Sequence, residues 1–164
     1  MKLRDRDAIL TKEGLIFRVY GYLHPRGAYV CDPEYASPDV FVSANPRARR
    51  GEPKPLFYKF FADEGMKLIL NHYPQYTVYY EPLQKNLVGV NEANIAQVRK
   101  PEVGLQQVLE KEPNDVLLKA FHDLFSRVCD QSGLSDKDFG VFGSLLHDFY
   151  HPNFSDLDFI VYGK

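Results

Sequence analysis

FGSLLHDFYHPNFSDLDFIVYG, residues Phe142–Gly163, is the stretch whose reading decides the fold. A short apolar strand, Phe139–Phe142, runs into Gly143-Ser144 and then a short helix. A second apolar strand, beginning near Leu157 and carrying Phe159–Tyr162, follows Ser155-Asp156-Leu157-Asp158. Strand side chains alternate between faces. Asp156 and Asp158 therefore share one face, while Leu157 and Phe159 take the other. Two carboxylates this close repel unless a cation lies between them. Mg²⁺ or Mn²⁺ is the natural occupant, because hard divalent ions prefer carboxylate and phosphate oxygens. Gly143 lets the backbone approach a phosphate, and Ser144 offers it a hydroxyl at a helix start. A lone Asp-x-Asp is usually solvated charge, and a lone Gly-Ser is usually a turn. The order strand, Gly-Ser, helix, Ser-Asp-x-Asp, strand is the more specific signal.

Upstream, the spacing of Leu117, Phe121, Leu124 and Val128 predicts a helix over Val116–Cys129, with Gly133 just past its end. Shorter helices are expected at Glu102–Glu110 and Asn91–Val98. Asp63 is placed to cap a helix carrying Met66, Ile69 and Leu70. The remainder of the N-terminal part reads as β-structure. Leu15–Leu23, Ala28–Cys31, Leu56–Phe61 and Thr77–Tyr80 are rich in aromatic and β-branched residues, and Lys12-Glu13-Gly14 and His24-Pro25-Arg26-Gly27 are turns. The fold class expected is α+β. A β-rich domain over residues 1–100 precedes a helical segment and the start of a small α/β core over 101–164.

The 164 residues carry a net charge of -2, so no global basic field points to nucleic acid. Local basicity is concentrated in Arg47, Arg49, Arg50, Lys54 and Lys59, with Glu52 the one acid among them. The plain reading is a solvated, Pro-rich loop. The functional reading is RNA or DNA contact through Arg47, Arg49 and Arg50, with Phe57 and Tyr58 as stacking platforms. Tyr73, Tyr76, Tyr79 and Tyr80 read either as a stacking surface or as half-buried strand positions. His147 and His151 are spaced to bind a transition metal on a helix, but Pro152 ends that helix and a surface pair is the plainer reading. Cys31 and Cys129 form no CxxC pair and read as reduced thiols. No apolar run approaches the roughly 20 residues of a membrane span, and a cytoplasmic location with no membrane partner is expected.

Gly143, Ser144, Asp156 and Asp158 fall on the motif of the nucleotidyltransferase superfamily typified by DNA polymerase beta, which the segment resembles. The chain also resembles an archaeal family of predicted nucleotidyltransferases, through Arg6–Pro25, Gly143-Ser144 and Ser155–Gly163. His151-Pro152-Asn153 stands where that family has His-x-Pro. The resemblance implies Mg-dependent transfer of a nucleoside monophosphate from a nucleoside triphosphate to a hydroxyl of RNA or another protein. Asp156 and Asp158 would be the catalytic metal ligands, and Gly143, Ser144 and Ser155 would hold the nucleotide. The superfamily also uses a third carboxylate on a later strand, which is not found up to Lys164. A two-metal site is expected only if another segment supplies it. The expectation is thus an enzyme or the N-terminal part of one; the alternative is a non-catalytic nucleic-acid-binding or interaction module. The strand bearing the aspartates is expected to present an edge, to be covered by a second copy or a partner.

Overall fold

The computed structural model describes residues 2–54 and 56–162, and divides the chain into two compact units, Met1–Val98 and Arg99–Lys164. Its class is α+β, with antiparallel strands and segregated helices.

The first unit is a curled antiparallel sheet of eight strands. These are β1 (Ala8–Thr11), β2 (Leu15–Val19), β3 (Ala28–Ala36), β4 (Arg49–Arg50), β5 (Phe57–Lys59), β6 (Thr77–Tyr80), β7 (Lys85–Asn91) and β8 (Ile95–Arg99). The order is β4-β5-β3-β2-β1-β8, and β7 joins β3 to β6. The nine-residue β3 makes the curl. Its first three residues, Ala28–Val30, pair with Gly89–Asn91 of β7, while Tyr35 and Ala36 at its end pair with β5. The register with β2 slips between Ile16 and Phe17, which oppose Tyr35 and Pro33 respectively. Pro33, which has no N–H to give a ladder, sits at this bulge. The bypassed Glu34 turns its carbonyl to the N–H of Phe60 (2.9 Å) and its carboxylate to Arg18 (3.0 Å).

Ile9, Leu15, Phe17, Val19, Tyr29, Val88 and Val90 fill the concave side together with Ile69 of α1 (Glu64–His72). Each such side chain contributes about 1.5–3 kcal/mol on burial. Tyr76 is also wholly buried and packs at a tilt against Phe17 (5.2 Å between ring centres). Its hydroxyl donates to the Glu13 carboxylate, which satisfies the polar tip of the buried ring.

Two sequence expectations change here. Asn91–Val98 is not a helix. Asn91 ends β7, Glu92–Asn94 is a single 3₁₀ turn, and Ile95–Arg99 is a strand beside β1. A short apolar run is ambiguous by periodicity, and the open edge of β1 decides it. In α1, Met66 and Leu70 are exposed and Ile69 alone of the three faces the core. Asp63 makes no cap bond through its side chain; it pairs with Lys67 (2.9 Å), and the Glu64 carboxylate receives the N–H of Phe61 (2.7 Å) instead.

The second unit holds α2 (Pro101–Leu109), α3 (Val116–Ser132), β9 (Phe139–Val141), α4 (Gly143–Leu146) and β10 (Phe159–Val161). β9 and β10 form an antiparallel pair, with Phe159 opposite Val141. Asp115 starts α3 by accepting the N–H of Leu118 (2.8 Å), and Gly133 stops it in the left-handed conformation at φ 69°. Leu117, Leu118, Phe121 and Phe125 are the buried face of α3, so the apolar stripe lies beside the predicted one; Leu124 and Val128 are exposed. Phe159 lies parallel to Phe121 (4.8 Å) and Phe125 (6.1 Å), which fastens β10 to the helix. α2 comes close to β9: a Cβ on Gly140 would lie 2.5 Å from Pro101 Cβ.

Candidate functional site

The aspartate segment is positioned from both sides. Before it, His151–Ser155 closes into a tight turn. The N–H of His151 donates to Ser155 Oγ (2.8 Å), and the N–H groups of Ser155 (2.9 Å) and Phe154 (3.1 Å) donate to the His151 carbonyl. After it, Phe159 is held in the aromatic stack. Leu157 and Phe159 both pack on the core of this unit, so the intervening Asp158 and the preceding Asp156 lead away from it. The regular strand starts at Phe159, two residues later than the sequence suggests, and Asp156–Asp158 lie before it, outside the ladder. Asp156 is exposed and Asp158 is half-buried.

Asp158 is set directly against Gly143. The Phe142 N–H donates to the Asp158 carbonyl (3.1 Å), which ties the end of β9 to the start of β10. Gly143 has φ 61°, and a Cβ placed there would lie 2.5 Å from Asp158 Oδ2. Only glycine suits both demands, the left-handed backbone and the carboxylate at close range. Gly143 and Asp158, fifteen residues apart, are thus adjacent, as the sequence motif implies. The same observation bears on a divalent ion. A carboxylate beside bare backbone, with a second carboxylate two residues before it, is a donor set that fits one hard cation plus phosphate oxygens. Among the described residues no group of three or more His, Cys, Asp or Glu side chains is placed to hold a metal.

The remaining predicted residues are less open than expected. α4 is a single turn, and Ser144 within it is buried, its carbonyl receiving the N–H of Phe149 (3.3 Å). Ser155, assigned to the nucleotide, uses its hydroxyl oxygen to clamp the turn. His147 and His151 are not a surface pair on one helix, because α4 ends at Leu146. His147 is buried, with Nδ1 2.9 Å from Arg99 Nη1, and burial, reinforced by that guanidinium, pushes its pKa down to about 3. His151 Nδ1 accepts the N–H of Asn153 (3.1 Å), and its ring stacks on Phe154 (4.4 Å).

In the first unit, Arg47 and Arg49 are exposed, but Arg50 is turned inward. Its Nη1 donates to the carbonyls of Arg47 (2.7 Å) and Arg49 (2.8 Å), so it braces its own loop. Tyr58 is buried, as is Tyr76, whereas Tyr79 is well exposed. Sequence reasoning missed the Arg99–His147 contact and the bond from Tyr150 OH to Asp115 (2.8 Å), which pins the loop after α4 to the start of α3. Both partners are far apart in sequence, and no local pattern signals them.

No family model matches the chain, and no solved structure matches it. The chain is similar to an uncharacterized protein of Methanocaldococcus jannaschii, MJ1086, at 28% identity over 175 aligned positions. The match takes in 100% of this chain and 48% of that relative, so the chain spans about half the length of the curated relative it matches. Among the described residues no helix is long and apolar enough to cross a membrane.

Proposed function

We propose that the chain carries the nucleotide- and metal-binding half of a nucleotidyltransferase. In this reading Asp156 and Asp158 hold Mg²⁺ or Mn²⁺, and the bare backbone at Gly143 receives the triphosphate. The bound ion would polarise the phosphoryl group and stabilise the departing pyrophosphate. The observation that carries the reading is the approach of Asp158 Oδ2 to the α-face of Gly143. Ser155 acts as a positioning residue that fixes the turn before Asp156. β10 pairs with β9 on one side only among the described residues, so its other edge is where a strand bearing a third carboxylate would add, from elsewhere in a longer protein or from a partner. A hydroxyl of RNA or of another protein is the acceptor class.

A second reading, a non-catalytic nucleic-acid module, is favoured by the exposed Arg47 and Arg49. The two are separated by calorimetric titration of Mg-ATP into the chain and its Asp156→Asn variant. Loss of Mg-dependent binding in a variant that melts like the wild type supports the transferase. Binding that is equal in both refutes the metal role. RNA binding that weakens with salt and falls on changing Arg47 and Arg49, without nucleotide binding, supports the module.

A further inference from the structure

The first unit contains a hollow of about 460 Å³, inside the range that holds small ligands. It is formed by the turn between β2 and β3 and by the end of β6 with the 3₁₀ turn that follows, Glu81–Leu83. Three features of its lining select among ligands. Tyr79 presents an exposed ring, with Leu23, Pro25 and Pro82 supplying further apolar wall. Glu81 and Arg26, of opposite charge, line the same hollow, yet neither side chain makes a hydrogen bond or an ion pair with any described residue. The hollow thus offers one acceptor, one cation and one aromatic ring in a single lining.

The hollow is built rather than incidental. His24, which lines it, is fixed by the N–H of Val30 donating to its Nδ1 (3.3 Å) and by an edge-on contact with Tyr29 (5.2 Å). Burial lowers its pKa, which favours the uncharged ring. His24 and Pro25 also line a smaller neighbouring hollow of about 220 Å³, so one turn shapes both.

We infer that this hollow binds a guanine nucleotide unit, with the base on Tyr79, its N1–H and amino group on the Glu81 carboxylate, and its phosphate on Arg26. A carboxylate presents two acceptor oxygens to the two adjacent donors on that edge of guanine, whereas adenine offers one donor and an acceptor there. A guanidinium matches phosphate geometry. A planar base between the two charges satisfies the acceptor, the cation and the ring together. The site is separate from the aspartate pair, lies in the other unit and requires no metal. The nucleotide has two sources with the same chemistry, a free mononucleotide or an unpaired stretch of RNA or DNA.

Calorimetric titration in EDTA, which silences any metal-dependent site, tests the assignment. GMP, AMP and unpaired G- and A-containing oligonucleotides are added to the wild type, Tyr79→Ala and Glu81→Gln. Both substituted residues are exposed, and unchanged thermal melting confirms that the variants fold. The expected result is a preference for guanine, an affinity loss of about tenfold or more in Tyr79→Ala, and loss of the guanine preference in Glu81→Gln. Equal affinity for GMP and the G-containing oligonucleotide assigns the free nucleotide; much tighter oligonucleotide binding assigns the unpaired strand. Absence of binding, or binding that neither substitution alters, overturns the inference.

Discussion

His147 shows how far a single residue departs from what its neighbours in sequence suggest. Read along the chain, it belongs with His151 as a spaced pair. In the fold it is buried beside Arg99, and its pKa is pushed down to about 3 by burial first and the guanidinium second. The unfolded imidazole titrates near 6.5, so between pH 6.5 and 3 the unfolded chain binds a proton that the native chain refuses. Stability therefore falls as pH drops through that window, by up to about 1.4 kcal/mol per pH unit from this group. Urea melts between pH 6.5 and 4 are expected to show a shallower loss in His147→Leu than in the wild type. Parallel curves would contradict the assignment. At this scale the closeness of Asp158 to Gly143 follows from a short strand–turn–strand order, and the state of the histidine follows from no local pattern. His147 owes its state to Arg99, 48 positions away.

Elements were legible where their signals were internal. α3 has an N-cap at Asp115, a glycine stop at Gly133 and a repeating apolar face, and it forms where the sequence places it. Its buried stripe is nonetheless Leu117, Leu118, Phe121 and Phe125, because the helix presents to β10 the face that can stack on Phe159. β8 was misread as a helix because its reason for being extended is the edge of β1, which no local window contains. Asp115 joins the two kinds of signal, capping α3 through Leu118 and receiving the Tyr150 hydroxyl from the loop that leads to the aspartates. Asp115→Ala is expected to lower stability by about 1–2 kcal/mol in chemical denaturation. Tyr150→Phe should lose a smaller part, since the cap survives. If the two changes cost the same, the cap contributes nothing and this account of the helix start is wrong.

At the scale of the whole molecule, each unit carries one of the two proposed sites. The curled sheet of the first carries the hollow lined by Tyr79, Glu81 and Arg26, while the basic loop, read as solvated with nucleic-acid contact as its alternative, spends Arg50 on its own backbone. The second brings Gly143 and Asp158 together across β9 and β10. The α+β class and the aspartate motif could be read from the chain because both rest on periodicity and short-range order. The hollow could not, because it joins residues 23–26 to 79–82 through the sheet. The central proposal is that Asp156 and Asp158 bind a divalent ion with a triphosphate at Gly143. The most direct measurement is electron paramagnetic resonance of Mn²⁺ titrated into the wild type and Asp158→Asn, with and without ATP. The account predicts a protein-bound Mn²⁺ signal that strengthens with ATP in the wild type and is lost in the variant. The same bound signal in both proteins would contradict it.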